Sequence, residues 1–198
     1  MSFAETPLLT HARVRLEPLS QAHAPALAAA SGAGGLWEKA WYTTIPAPDA
    51  VQAEIDRRLS LQAAGTMAPW AIVDPTTGEA VGMTTYMDID EPNRRLEMGH
   101  TWMGYSAHGT GMNPAAKLLL LTRAFEDLGC IAVEFRTHAA NAQSRAAIAR
   151  LGAKQDGILR QHKVWRDGTL RDTVVFSILD SEWPDVRSGL EARLASRS

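Results

Sequence analysis

Three short stretches combine residue types that could do chemistry. The first is His108-Gly109-Thr110-Gly111-Met112-Asn113-Pro114. Glycines in such a run leave backbone N–H groups uncovered and permit turns that other residues resist. A helix beginning there adds partial positive charge, which makes the segment a candidate cradle for a diphosphate. Taken alone, Gly-x-Gly before a helix is commonly a plain turn, and neither the P-loop pattern nor the dinucleotide glycine spacing follows it. The second is Glu97, a carboxylate set among largely apolar residues. Desolvation there would raise its pKa and fit it to accept a proton from an amine; the competing role is a salt bridge with Arg94 or Arg95. The third is Asn141-Ala-Gln-Ser144, a polar pair whose plain reading is a helix N-cap. Trp37, Trp41 and Tyr42 add aromatic surface that could grip a cationic amine, or pack in the core, since residues four apart share a helix face.

The elements that must position these groups follow from pattern. Residues 13–19 alternate as a first strand, and the alanine-rich 21–30 reads as a helix ended by the glycine cluster at 32–35. Asp49 is a candidate cap for a helix running through Glu54, Ile55 and Leu59 towards Gly65. Strands are expected at 70–73, 80–87 and 95–103, in a meander. Simple alternation in the third puts Leu96, Met98, His100 and Trp102 on one face and Glu97, Gly99, Thr101 and Met103 on the other. Asn113 as N-cap and Pro114 at the first helical position open a leucine-rich helix that Gly129 ends. A strand at 131–136, a helix at 141–151, a hairpin around Asp167-Gly168 and a terminal helix from Glu182 complete the order.

Composition excludes several classes. With 20 Lys+Arg against 22 Asp+Glu in 198 residues, no global field draws the chain to nucleic acid or an anionic membrane. The longest aliphatic run, residues 118–121, is far short of the roughly 20 residues of a membrane span, and the opening residues lack the pattern of a secretory signal. A single cysteine, Cys130, forbids an internal disulfide and a Cys-rich zinc site, and the six histidines show no metal-ligand spacing. One cytoplasmic domain over 1–198 without metal is the expectation. Gly104-Tyr-Ser106-Ala-His108 lacks the last glycine of a nucleophile elbow, which speaks against a hydrolase.

In order along the chain, Glu97-Met-Gly-His-Thr-Trp-Met-Gly-Tyr-Ser-Ala-His108-Gly-Thr-Gly111-Met-Asn-Pro-Ala-Ala-Lys117 and Asn141-Ala-Gln-Ser144 through Ala153 resemble the GNAT acetyltransferase superfamily, in its RimJ/RimL-like branch. The likeness extends from Arg15-Leu16-Glu17-Pro18-Leu19 to Ser181-Glu-Trp-Pro184. It implies an α/β (α+β) GNAT-like fold: a mixed sheet of about 6–7 strands, splayed between two parallel strands and flanked by helices on both faces. It further implies acetyl-CoA as cosubstrate in the splay, a primary amine acceptor (a protein N-terminus or a small molecule), and a homodimer. Carried over residue by residue, Trp102 and Met103 would offer backbone groups to the pantetheine. His108, Gly109, Thr110, Gly111, Met112 and Asn113 would wrap the diphosphate, with Lys117 also on the cofactor side. Asn141 and Ser144 would face pantetheine and thioester, and Trp37, Trp41 and Tyr42 would cover the acceptor. Glu97 would be the base, and Ser144 could protonate the thiolate. His108 and Asn113 depart from the usual diphosphate pattern, and the final strand reads Val174-Val175-Phe176-Ser177 where many relatives show a tyrosine, so a tyrosine acid is not available there. A CoA-binding domain without turnover is the alternative these departures leave.

Overall fold

The computed structural model describes residues 2–39 and 44–196. Strands β1 (Leu9–His11) and β2 (Val14–Pro18) come first, then helices α1 (Ala24–Gly32), α2 (Leu36–Lys39) and α3 (Val51–Ala63). The meander β3 (Met67–Val73), β4 (Ala80–Asp90) and β5 (Arg95–Met103) leads into α4 (Met112–Thr122), followed by β6 (Ala132–His138) and α5 (Ala142–Leu151). The hairpin β7 (Lys154–Val164) and β8 (Leu170–Leu179) precedes α6 (Trp183–Ala195). The described strands form one eight-stranded sheet, ordered β1-β2-β3-β4-β5-β6-β8-β7. That is more than the six or seven expected, because β1 is three residues long, too short to show a period.

Each face of the sheet is buried under helices, which explains why β3 is apolar along its whole length. On one side Leu27 of α1 and Val51 and Ile55 of α3 pack on Val73, Met83 and Trp102. On the other, Leu120 and Leu121 of α4 and Val186, Leu190 and Leu194 of α6 join Trp70, Leu96, Met98 and Phe135. Trp183 stacks on Phe125 with ring centroids 5.5 Å apart.

The α3 stripe Val51, Ile55, Arg58 contains a charge where an aliphatic would be usual. The Arg58 side chain is fully buried and donates to Glu54 (2.7 Å), to Thr85 Oγ1 (2.6 Å) and to the His100 carbonyl (3.4 Å). Asp49 does not cap α3. It lies in a turn, Pro48–Ala50, that leads into the helix, and Ala50 takes the cap position with no side-chain bond.

Two corrections concern the segment that carries the site. The leucine-rich helix starts earlier than Asn113: Gly111, at φ 89°, is the N-cap, which places Asn113 and Pro114 second and third within α4. Glycine alone takes that backbone cheaply, and a proline in the first turn loses no helical bond because those N–H groups have no intrahelical acceptor. Alternation in β5 also fails past Gly99. Trp102 opposes Met83 and Gly99 opposes Thr85, so His100 and Thr101 together face the single residue Thr84 in a bulge. His100 takes φ 47° there. Met103 therefore joins Leu96 and Met98 in one core, and Trp102 turns to the opposite face with Glu97.

Gly82 makes the bulge possible. A Cβ on it would collide with the Trp102 carbonyl oxygen and lie 2.9 Å from Met103 Cα, both backbone atoms that cannot step aside. Gly82→Ala is expected to cost about 2–3 kcal/mol through overpacking, read as a lower urea midpoint at unchanged slope.

Candidate active site

The strands that build the site are the one parallel pair among the described strands. β5 and β6 are bonded only through Arg95↔Ala132, Leu96↔Val133 and Glu97↔Glu134. Beyond that point β5 continues to Met103 and β6 to His138 with no ladder between them, so the pair opens as a V whose vertex is Glu97. The facing backbone edges of the two arms are left to bond something else.

Glu97 shares its face with Thr85 and Met87 of β4 and with Glu134 and Arg136 of β6, the face covered by α1 and α3. It is buried, at 6% exposure. Its ion pair is with Arg136 (Nε to Oε2, 3.5 Å), neither Arg94 nor Arg95; Arg95 instead pairs with Glu134 at 2.6 Å. Strand twist and the parallel register decide this, and sequence separation hides it. Burial pushes the Glu97 carboxyl up to about 7, Arg136 only partly opposing it. The carboxylate borders a cavity of about 140 Å³ with Asp88, Asp90, Arg95, Glu134 and Arg136. A second cavity of about 270 Å³, lined by Leu61, Met67, Met87, Ile89, Arg57 and His100, shares Asp88 with the first.

At the mouth of the V, Gly109 (φ 78°) and Gly111 (φ 89°) make the turn before α4. A Cβ on Gly109 would meet nothing within 4 Å, so the turn is open on that side. Thr110 folds inward: its hydroxyl donates to the Ala107 carbonyl (2.8 Å) and accepts from the Met112 N–H (3.3 Å). The Met112 side chain belongs to the core, and Asn113 is exposed. His108 turns back and donates from Nε2 to the Met103 carbonyl (3.1 Å), its ring edge-on to Tyr105. It braces the mouth. Trp102 Nε1 and His100 Nδ1, on the β5 stretch that borders the gap, are buried with no hydrogen-bond partner among the described residues.

Asn141 is the N-cap of α5, its Oδ1 accepting from the Ser144 N–H at 2.9 Å, and Ser144 stands half-buried in the first turn beyond the end of β6. In the final strand, Ser177 donates to Asp156 at 3.0 Å. Trp37 is half-buried and packs on the α1/α3 core, which favours packing over an open amine grip. Trp41 and Tyr42 lie outside the described residues. Sequence reading missed Arg136 and the strained His100; the run His138-Ala-Ala-Asn141 after β6 marks where that strand ends, but nothing in it names Arg136 as the partner of Glu97. Among the described residues no helix is long and apolar enough to cross a membrane.

The model of the acetyltransferase (GNAT) domain family matches residues 13–154. The chain belongs to the GNAT acetyltransferase family. The chain is 33% identical over 106 residues to the Bacillus subtilis (strain 168) protein named "Putative ribosomal N-acetyltransferase YdaF". That match takes in 54% of this chain and 57% of YdaF, so the chain spans little more than half the length of this curated relative. Its fold superposes on a GCN5-related N-acetyltransferase from Brucella melitensis with TM-score 0.86 and 32% identity, covering 96% of this chain and 86% of the other. Mycobacterium smegmatis RimJ, solved in complex with CoA-disulfide, superposes with TM-score 0.78 over 98% and 97% of the two chains; at 23% identity that likeness concerns the fold alone.

Proposed function

We propose that this GNAT domain transfers an acetyl group from acetyl-CoA to a primary amine, a protein N-terminal α-amine or a small-molecule amine, by direct attack within a ternary complex. The V with a buried carboxylate at its vertex carries this reading. Two features fit acetyl-CoA: the unladdered strand edges past Glu97 and the open glycine turn at the start of α4. Residues Trp102 and Met103 would pair with the pantetheine amides, and backbone from His108 to Asn113 would hold the diphosphate, with Asn141 and Ser144 on the far arm. The cosubstrate supplies the activated acyl carbon when bound.

The protein's part is to deliver a neutral amine. An α-amine titrates near about 8 and a lysine near about 10.4, so the acceptor arrives largely as an ammonium without a lone pair. Glu97 can take its proton because burial has already raised the carboxyl to about 7, close to working pH. YdaF is named as a putative ribosomal N-acetyltransferase, which supports this class of substrates.

Acetyl-CoA should raise Tm by mass action, and thiol release should depend on an added amine. Gly109→Asp, which sets a carboxylate where the diphosphate would lie, should abolish the acetyl-CoA shift while leaving the unliganded Tm within a few degrees. Binding without amine-dependent thiol release from any acceptor in a panel of N-terminal peptides and small amines would overturn the transferase reading. An undiminished shift in the variant would move the diphosphate elsewhere.

A further inference from the structure

Lys117 is a half-buried charge that the reaction above leaves unused. It projects from α4 on the sheet face opposite Glu97, into the gap where β5 and β6 part. Its Nζ lies 3.4 Å from Thr101 Oγ1 on β5 and 5.4 Å from the Phe135 ring centroid on β6. Thr101 Oγ1 is in turn 2.8 Å from Thr84 Oγ1. Six residues along the helix from Gly111, the Lys117 backbone lies about 9 Å along the helix axis from the glycine turn.

Among the described residues no carboxylate comes within ion-pair distance of this amine, and its pKa is drawn down to about 8 by burial alone, with no charged group on any neighbouring element contributing. A partly desolvated ammonium held by one long hydrogen bond and a ring face carries a cost. It is relieved when negative charge develops beside it, as on the sulfur of a departing thiolate.

We propose that Lys117 donates the proton to the CoA sulfur as the thioester breaks; the inference rests on the acetyl-CoA reading above. The two faces of the sheet divide the work. The acceptor approaches from the Glu97 face, and Lys117 reaches the same gap from the α4 face. The amine lone pair forms the C–N bond at the thioester carbonyl carbon, and the C–S bond breaks with its electron pair on sulfur. One N–H proton of Lys117 passes to sulfur, giving CoA thiol and a neutral lysine, while the surplus proton on the attacking nitrogen goes to Glu97, which has by then passed the ammonium proton to solvent. Solvent restores both side chains after the products leave. Donor and acceptor are closely matched, since alkyl thiols titrate near about 8.5.

Lys117→Met should keep acetyl-CoA affinity within about threefold and lower kcat about a hundredfold. It should also erase the limb on which wild-type kcat falls above about pH 8. Lys117→Arg keeps the charge but holds its proton too tightly to donate, so it should not restore kcat. Ser144→Ala should leave the basic limb in place. Apart from turnover, the ultraviolet absorbance of bound CoA thiolate should titrate about one pH unit lower in wild type than in Lys117→Met. Weakened binding with kcat and its basic limb intact, recovery of kcat by arginine, loss of the limb in Ser144→Ala, or equal thiolate titrations would each overturn the assignment. If wild type itself shows neither an acetyl-CoA shift nor amine-dependent thiol release, the acetyl-CoA reading fails and takes this proposal with it; if wild type shows both, only the role of Lys117 is in question.

Discussion

Glu97→Gln is expected to lower kcat/KM about a hundredfold to a thousandfold at pH 8, with acetyl-CoA affinity unchanged. Glutamine keeps the size and the hydrogen-bonding oxygen but accepts no proton. The pH dependence separates a base from a packing residue. In wild type two ionisations limit the rate on the acid side, the acceptor amine and the carboxyl that burial raises to about 7. In the variant only the amine remains, so the wild-type advantage should shrink about tenfold per pH unit below pH 7. Parallel profiles for the two proteins would remove Glu97 from the chemistry.

The same substitution should stabilise the fold, which a purely structural carboxylate would not allow. A carboxyl whose folded pKa stands above its unfolded value of 4.5 contributes stability that is complete below 4.5 and lost as pH rises through about 7. At pH 8 wild type therefore carries a desolvated anion that costs on the order of 3 kcal/mol, with the opposing charge of Arg136 already counted. Glu97→Gln should melt higher than wild type at pH 8, and the gain should fade as pH falls through 7 and be gone below about 4.5. Activity lost together with stability gained is what a site held under strain for function predicts.

Glu54→Ala is expected to destabilise the protein by about 3–5 kcal/mol, roughly 10 °C in Tm for a chain of this size. Arg58, buried entirely beneath the bulge, would keep only Thr85 and a long contact to the His100 carbonyl. Burial alone would raise the Glu54 carboxyl, yet the hydrogen bonds and charges of Arg57 and Arg58 hold it at about 2. A depressed carboxylate contributes stability present above 4.5 and lost as pH falls through about 2, so the gap between wild type and variant should close in acid. Glu54→Ala combined with Arg58→Met should recover much of the loss, because the penalty comes from a lone buried cation. A double variant no more stable than the single one would show that the pair does not act as supposed. Since Arg58 also holds the carbonyl of His100, KM for acetyl-CoA should rise in the single variant.

What the sequence determined by itself is local. Period and turn chemistry place the helix 142–151 with its Asn141 cap and Gly152 stop, the Asp167-Gly168 hairpin and the α6 stripe, because each depends on residues within one or two turns of one another. The ordered motifs from Glu97 to Lys117 and from Asn141 to Ser144 also carry enough information to point to the family. The helix start at Gly111 was legible only as a glycine-rich turn, since Asn-Pro is itself a good opening and the choice turns on backbone strain.

Tertiary structure alone decided the rest. Sequence alternation cannot register a bulge, because the extra residue is defined by the partner strand; here the contact between Gly82 and the Trp102 carbonyl fixes it and sends Trp102 and Met103 to opposite faces. The partner of Glu97 is 39 residues away in Arg136, brought alongside by the parallel pair, while its sequence neighbour Arg95 turns to Glu134. Lys117 reads in sequence only as a cofactor-side lysine of the helix until the two strands part beneath it and strip away part of its water. Charge in this protein acquires its chemistry from desolvation, and desolvation is a property of the assembled sheet and helices, never of a spacing along the chain.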